Sequence, residues 1–190
     1  MTEEIDRPGG MLGRMLGFEL ALGVLALALA WGFGVSILAA FAGAWLQGLI
    51  WGVLATGPML LMVVGFERSQ AGWVVELKRF VEGKLVPLFA GIGPVGIFLV
   101  ALSAGIFEEL LFRAVIQQGL ETSFGLWPAL LLASLLFGLA HAMTRAYLVL
   151  ATLMGLYLGA LYAWTDQLLA PMLTHFLYDW AVLTWLLRKR

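Results

Sequence analysis

Apolar residues run through most of the chain in long stretches, broken at intervals by short polar or glycine-rich segments. From Leu20 to Phe66 no residue is ionisable, which is long enough for two membrane crossings at about 20 residues each. Gly32, Gly34 and Ser36 offer a turn between them. The pattern predicts spans near 15–33 and 40–64. The next segment, 67–86, is different: Glu67, Arg68, Glu76, Lys78, Arg79, Glu82 and Lys84 alternate with Trp73, Leu77, Phe80, Val81 and Leu85 at helical spacing. Such a pattern predicts an amphipathic helix lying on the membrane surface. Apolar sequence resumes at Pro87 and is interrupted by Gly91, Gly93 and Pro94, so a third span is expected over about 95–118. A short loop is expected around Glu121 and Ser123–Pro128. Spans near 126–143, 146–164 and 168–187 follow, with turns marked by Arg145 and Asp166. Gly155 and Gly159 form a small-xxx-small step suited to close helix contact.

Composition narrows the class further. Of the 190 residues 62% are hydrophobic and only 12% charged, about half the usual charged share, and mean hydropathy is +0.97. A soluble fold of this size could not build a polar shell from this chain. Disordered, collagenous and disulfide-stapled chains are excluded on the same grounds. The absence of Cys removes disulfides and thiolate chemistry. The expectation is an all-α, polytopic membrane helix bundle of six transmembrane helices plus one cytoplasmic interfacial helix. It comprises a cytoplasmic segment 1–14 and a single transmembrane domain 15–190. No internal repeat is visible.

The basic residues orient the bundle. With six spans, ten of the eleven Lys and Arg fall on one side, in the N-terminus, the 65–94 segment, the 144–146 turn and the C-terminus. The opposite turns hold none, and Arg113 lies inside a span. By the positive-inside rule both termini are cytoplasmic. A cleaved leader is the competing reading, since Ala28 and Ala30 loosely resemble a cleavage pattern. Against it, Glu3, Glu4 and Asp6 make the leader acidic, and the first apolar run is long enough to span.

Ionisable residues at membrane depth cost roughly 2.5–3.5 kcal/mol each on insertion scales and so point to function. Glu19 lies about one turn inside the first span and can snorkel toward water; it reads as structural or neutral, and as dispensable for catalysis. The others are Glu108, Glu109 and Arg113 in the third span, His141 late in the fourth, and His175 and Asp179 in the sixth. The histidines are the only two in the chain. Glu109 and Arg113 are spaced i,i+4 and can pair, while Glu108 is rotated about 100° away and points elsewhere. Phe137 and His141 share the same spacing, as do His175 and Asp179. Carboxylates with histidines supply a general base, a proton shuttle or metal ligands. The bland alternative is a set of buried polar pairs that hold the bundle together.

These residues resemble a known family. Glu108-Glu109-Leu-Leu-Phe-Arg113 matches EExxxR, Phe137-Gly-Leu-Ala-His141 matches FxxxH, and His175-Phe-Leu-Tyr-Asp179 matches HxxxN/D. In this order they are similar to the three motifs of the CPBP family of intramembrane proteases, also called Abi, which includes the type II CAAX prenyl endopeptidases. The resemblance covers a catalytic core of about 95–187. It implies that Glu108 and His141 activate a water, that His175 donates to the tetrahedral oxyanion, and that Asp179 orients His175. Glu109 with Arg113 would orient and charge-balance the site, with Phe137 in support. It also implies either a divalent metal such as zinc on Glu108, His141 and His175, or a glutamate mechanism without metal; spacing on separate helices leaves both open.

The expected function is therefore an intramembrane endopeptidase of the bacterial inner membrane. It would act on prenylated or other membrane-associated peptides, with the lipid bilayer as its surroundings and no nucleic-acid partner. Two other classes stand beside it. One is a non-catalytic membrane partner, such as a bacteriocin-immunity or assembly factor. The other is a proton-coupled transporter, which should show symmetry between its halves.

Overall fold

The computed structural model describes residues 8–189, and among them every regular element is helical. This follows from composition: in lipid each backbone N–H and C=O must find its partner inside the segment, and a helix does that alone. Seven helices result. They are α1 (Pro8–Phe33), α2 (Trp45–Arg68), α3 (the contiguous turns Gly72–Phe80, Val81–Leu85 and Val86–Leu88), α4 (Pro94–Phe124), α5 (Leu126–Ala140), α6 (Arg145–Thr165) and α7 (Leu169–Arg188). The chain is thus an all-α membrane helix bundle.

Four helices, α1, α2, α4 and α6, are long and apolar enough by themselves to cross a membrane. Helix α7 has the length but is less apolar, and α5 is apolar but only 15 residues long. At 1.5 Å per residue α5 reaches about 22 Å, short of a hydrocarbon core of about 30 Å.

Several expected boundaries move. The first helix starts by Pro8, so residues 8–14 are not a separate segment, and Arg7 and Arg190 lie outside the described residues. The loop expected around Glu121 and 123–128 is a single residue, Gly125 (φ 79°): Glu121 lies in the last turn of α4, which ends at Phe124, and Pro128 lies inside α5. A left-handed glycine lets two helices meet without a linker. Glu67 and Arg68 belong to α2, not to the surface helix. In α3 the buried positions are Val74, Leu77 and Val86, whereas Trp73 of the expected apolar face is exposed. Its π-turn Val81–Leu85 shifts the register, which an ideal period cannot foresee. The fourth span ends at Ala140, and His141 is its C-cap.

The two ends of the bundle differ chemically. At one end the α1–α2 connector meets the α6–α7 turn, where the Leu168 N–H donates to the Ala40 carbonyl (2.8 Å) and Gln167 donates to the Gly43 carbonyl (3.0 Å). Exposed Trp31, Trp45, Trp127 and Trp164 cluster at helix termini of that end, as an interfacial aromatic belt requires. At the other end Lys189 pairs with Glu67 (2.8 Å) and Glu82 (3.5 Å), tying α7, α2 and α3 together.

Small residues bring the helices into contact. A Cβ on Gly52 would meet Leu173 at 2.8 Å, and one on Gly155 would meet Ser134 at 3.1 Å. Helix α4 is the centre: α1 and α7 both pack along it and barely meet each other, while α5 and α6 form an antiparallel pair beside it.

Candidate active site

Helix α4 changes pitch where the chemistry begins. Its α-helical part ends at Glu109, and Leu110–Gln117 is a π-helical stretch. Wider turns of this kind re-aim side chains and recur at functional sites. Here Arg113 and Gln117 turn inward: Arg113 donates to the Gly155 carbonyl and Gln117 to the Gly159 carbonyl, both at 3.1 Å. A side chain at Gly159 would collide with Gln117, so the Gly155–Gly159 step serves this ladder as well as the helix contact.

Glu109 and Arg113 form the expected i,i+4 pair, Arg113 Nη1 donating to Glu109 Oε1 at 2.9 Å. Both are buried, with 0% and 1% of their surface exposed. The same Oε1 accepts a second bond, from Nδ1–H of His175 on α7, at 2.8 Å. One carboxylate oxygen thus holds a guanidinium on its own helix and an imidazole on another. Asp179, expected to orient His175, stands 3.5 Å from its Nε2. The tighter orienting contact comes from Glu109. Spacing could not show this, because it links α4 to α7.

Glu108 points away from that pair, as its rotation requires. Its Oε2 lies 3.7 Å from His141 Nε2, and that oxygen has no hydrogen-bond partner among the described residues. His141 is held in place by its other nitrogen, Nδ1–H donating back to the Phe137 carbonyl at 2.8 Å. This fixes the tautomer and leaves the Nε2 lone pair toward Glu108. The 3.7 Å separation is too long for a direct hydrogen bond but lets one water touch both atoms.

Phe137 is the hub of the cluster. Its ring stacks on His141 (centroids 4.5 Å), meets His175 edge-on (6.0 Å) and Phe112 (5.0 Å), and lies under the Arg113 guanidinium at 4.7 Å. A cation over an aromatic face is worth about 2 kcal/mol when desolvated. The ring therefore steadies Arg113 while fixing both histidines.

The shortness of α5 gives access. His141 ends that helix, and Ala142 and Met143 after it are exposed. Irregular backbone at membrane depth is tolerated where it lines a water-filled cavity. The His141 and Asp179 side chains are 26% and 29% exposed, whereas Glu109 and His175 are sealed. The site thus has a closed floor and an open mouth.

Two groups escaped the sequence reading. Glu19 does not snorkel: it is only 7% exposed and occupies the one buried stripe of α1, with Gly23, Ala26 and Ala30. Those small residues at i+4, i+7 and i+11 were the available signal, because they mark the packed face. Tyr147 of α6 lies beside His141, ring centroids 6.3 Å apart, within electrostatic reach of Asp179 and Glu108. Nothing in its spacing announced it.

Glu108, His141 and His175, the suggested zinc ligands, do not converge on one point. Among the described residues no group of three or more His, Asp or Glu is arranged to hold a metal ion. His175 Nε2, the nitrogen left outside its Glu109 bond, stands 3.5 Å from Asp179, and Glu108 stands 3.7 Å from His141. As arranged, this donor set does not fit a bound ion.

Comparison with known proteins bears on this cluster directly. The family described as type II CAAX prenyl endopeptidase Rce1-like matches residues 91–181, which contain Glu108, Glu109, Arg113, Phe137, His141, His175 and Asp179. The matched segment is just under half of the chain, and it is similar to the Rce1-like family over that length. The chain is also similar to two proteins of Bacillus subtilis (strain 168). YpbD, an uncharacterized protein, is 38% identical over 86 residues, covering 44% of this chain and 41% of YpbD. YdiL, named provisionally as a membrane peptidase, is 26% identical over 146 residues, 77% of this chain and 54% of YdiL. The chain spans about half the length of the curated relatives it matches. No solved structure matches it significantly. The Rce1-like region begins just before α4 and ends within α7, so α1, α2 and most of α3 lie outside it.

Proposed function

We propose that the protein is an intramembrane endopeptidase that hydrolyses a peptide bond with water activated by Glu108 and His141. The observation that carries this is the unpartnered Glu108 Oε2 facing the free Nε2 of His141 at 3.7 Å, beside an open mouth. A water bridging the two atoms attacks the carbonyl carbon and gives its proton to Glu108. The resulting oxyanion takes a hydrogen bond from Nε2–H of His175, whose ring Glu109 holds by the other nitrogen. Glu108 then passes its proton to the amide nitrogen, the C–N bond breaks, and a carboxylate and an amine leave. Arg113 balances the charge on Glu109. The similarity of this segment to the Rce1-like family supports a CAAX-type or other membrane-associated peptide as substrate.

The same reading places the protein in the bacterial plasma membrane with six spans and both termini cytoplasmic, so that the mouth faces the cytoplasm. The basic end closed by Lys189 supports that orientation.

The test is peptide cleavage by purified protein, with new termini mapped by mass spectrometry. Glu108→Gln should lower turnover by about 10²–10⁴-fold, the usual effect of removing a general base, while the protein stays folded. Near-normal turnover in folded Glu108→Gln would rule out the proposed base and favour a non-catalytic membrane partner.

A further inference from the structure

Helices α1 and α4 run parallel in a fixed register. Leu12 lies against Gly96 and Gly23 against Phe107, the same sequence offset both times. That register sets Glu19 level with Ser103, five residues before Glu108. At 1.5 Å per residue Glu19 sits about 7.5 Å from the Glu108 level, toward the N-terminal end of α4. On the opposite flank α7 runs antiparallel, and a Cβ on Gly105 would meet Phe176 at 2.9 Å. Asp179, about one turn beyond His175, therefore also lies on that side of Glu108. Helices α1 and α7 both pack on α4, so Glu19 and Asp179 flank it on the same side of the Glu108 level.

Two further features relate Glu19 to the site. It lies within electrostatic reach of His175, Asp179 and Glu108. Its Oε2 is buried with no hydrogen-bond partner among the described residues. Arg113 is committed to Glu109, and Asp179 faces His175 at 3.5 Å. A buried carboxylate oxygen without a donor is costly to maintain unless something supplies one.

We propose that Glu19 and Asp179 form an acidic mouth that binds a cationic side chain of the substrate, a lysine or arginine near the scissile bond. The inference rests on the endopeptidase reading above and adds a specificity element to it. That element comes from α1, outside the Rce1-like region. An extended peptide advances about 3.3 Å per residue, so the 7.5 Å offset places the cation two to three residues from the bond that is cut. Glu19 is a substrate-binding residue here and takes no part in moving protons.

The experiment walks a single lysine through the four positions on each side of the scissile bond of an otherwise neutral peptide. Wild-type protein should favour one placement by about 10- to 100-fold in kcat/KM, the worth of a charge-assisted hydrogen bond, and chiefly through KM. Glu19→Gln should erase that advantage. No lysine preference in wild type, or an undiminished preference in Glu19→Gln, overturns the assignment. If Glu19→Gln fails to fold, acetylating the favoured lysine replaces it: loss of the advantage in wild type supports the acidic mouth, and an unchanged rate overturns it. Cleavage without charge preference sinks the acidic mouth alone. Failure to cleave any peptide, or equal cleavage by Glu108→Gln, sinks the endopeptidase reading and this inference with it.

Discussion

The two adjacent glutamates should fail in different ways when substituted, and the hydrogen-bond geometry says by how much. Glu109 is sealed from solvent, and its Oε1 accepts from both Arg113 (2.9 Å) and His175 (2.8 Å). Glu109→Ala leaves the Arg113 guanidinium in a dry interior, where it keeps the Gly155 carbonyl and the Phe137 ring but loses its counter-charge. Breaking a buried pair from one side costs about 3–5 kcal/mol in soluble proteins, equivalent to roughly two to three and a half orders of magnitude in the folding equilibrium. The Gly155 and Phe137 contacts exist before and after the change, so they do not soften it. Glu109→Gln should be milder, because an amide oxygen still accepts from one of the two donors, though it supplies no counter-charge to Arg113. Adding Arg113→Ala to Glu109→Ala removes the stranded charge and should restore part of the lost yield. It should not restore turnover, since His175 still lacks its Nδ1 partner. Glu108→Gln should keep yield, because among the described residues Glu108 pairs with no Lys or Arg, its His141 contact is 3.7 Å long, and its Oε2 has no hydrogen-bond partner. Folded yield is read by size-exclusion of detergent-solubilised protein, and activity by the peptide assay. Equal loss of yield in Glu109→Ala and Glu108→Gln would refute this division, as would a double variant no better than Glu109→Ala.

Two further outcomes are expected. Cysteines placed at Glu121 and Asp166, in a chain with no native Cys, should label from the non-cytoplasmic side, and a C-terminal tag should be accessible only from the cytoplasm; a tag found outside would reverse every span. Gly138→Ala puts a methyl onto Thr152 and within 3.0 Å of the Leu148 carbonyl, so α5 should be levered from α6 at a cost of about 1–3 kcal/mol in thermal stability. Thr152→Ala in the same chain should recover part of it, and no recovery would show that the backbone contact dominates.

The family motifs and the pairs within one helix could be read from residue order, because i,i+4 spacing on a helix fixes which side chains share a face. Glu109 with Arg113, Phe137 with His141, and the turn of Glu108 away from the Glu109–Arg113 pair all follow from that rule. Helix class was also legible, since 62% apolar residues in long runs leave no other way to satisfy the backbone in lipid. Contacts between helices were not. The Glu109–His175 bond, the Glu108–His141 gap and Phe137 as a hub depend on how α4, α5 and α7 are set against one another, and no one-dimensional period carries that information. The π-turns were hidden for a related reason: an ideal 3.6 period assumes the pitch that they break. Glu19 shows the boundary between the two kinds of knowledge. Its small-residue stripe was written in the sequence and marked the packed face of α1. That this face packs on α4, and so brings a carboxylate from outside the Rce1-like region to the mouth of the site, was settled only by the parallel register of two helices separated by some sixty residues of chain.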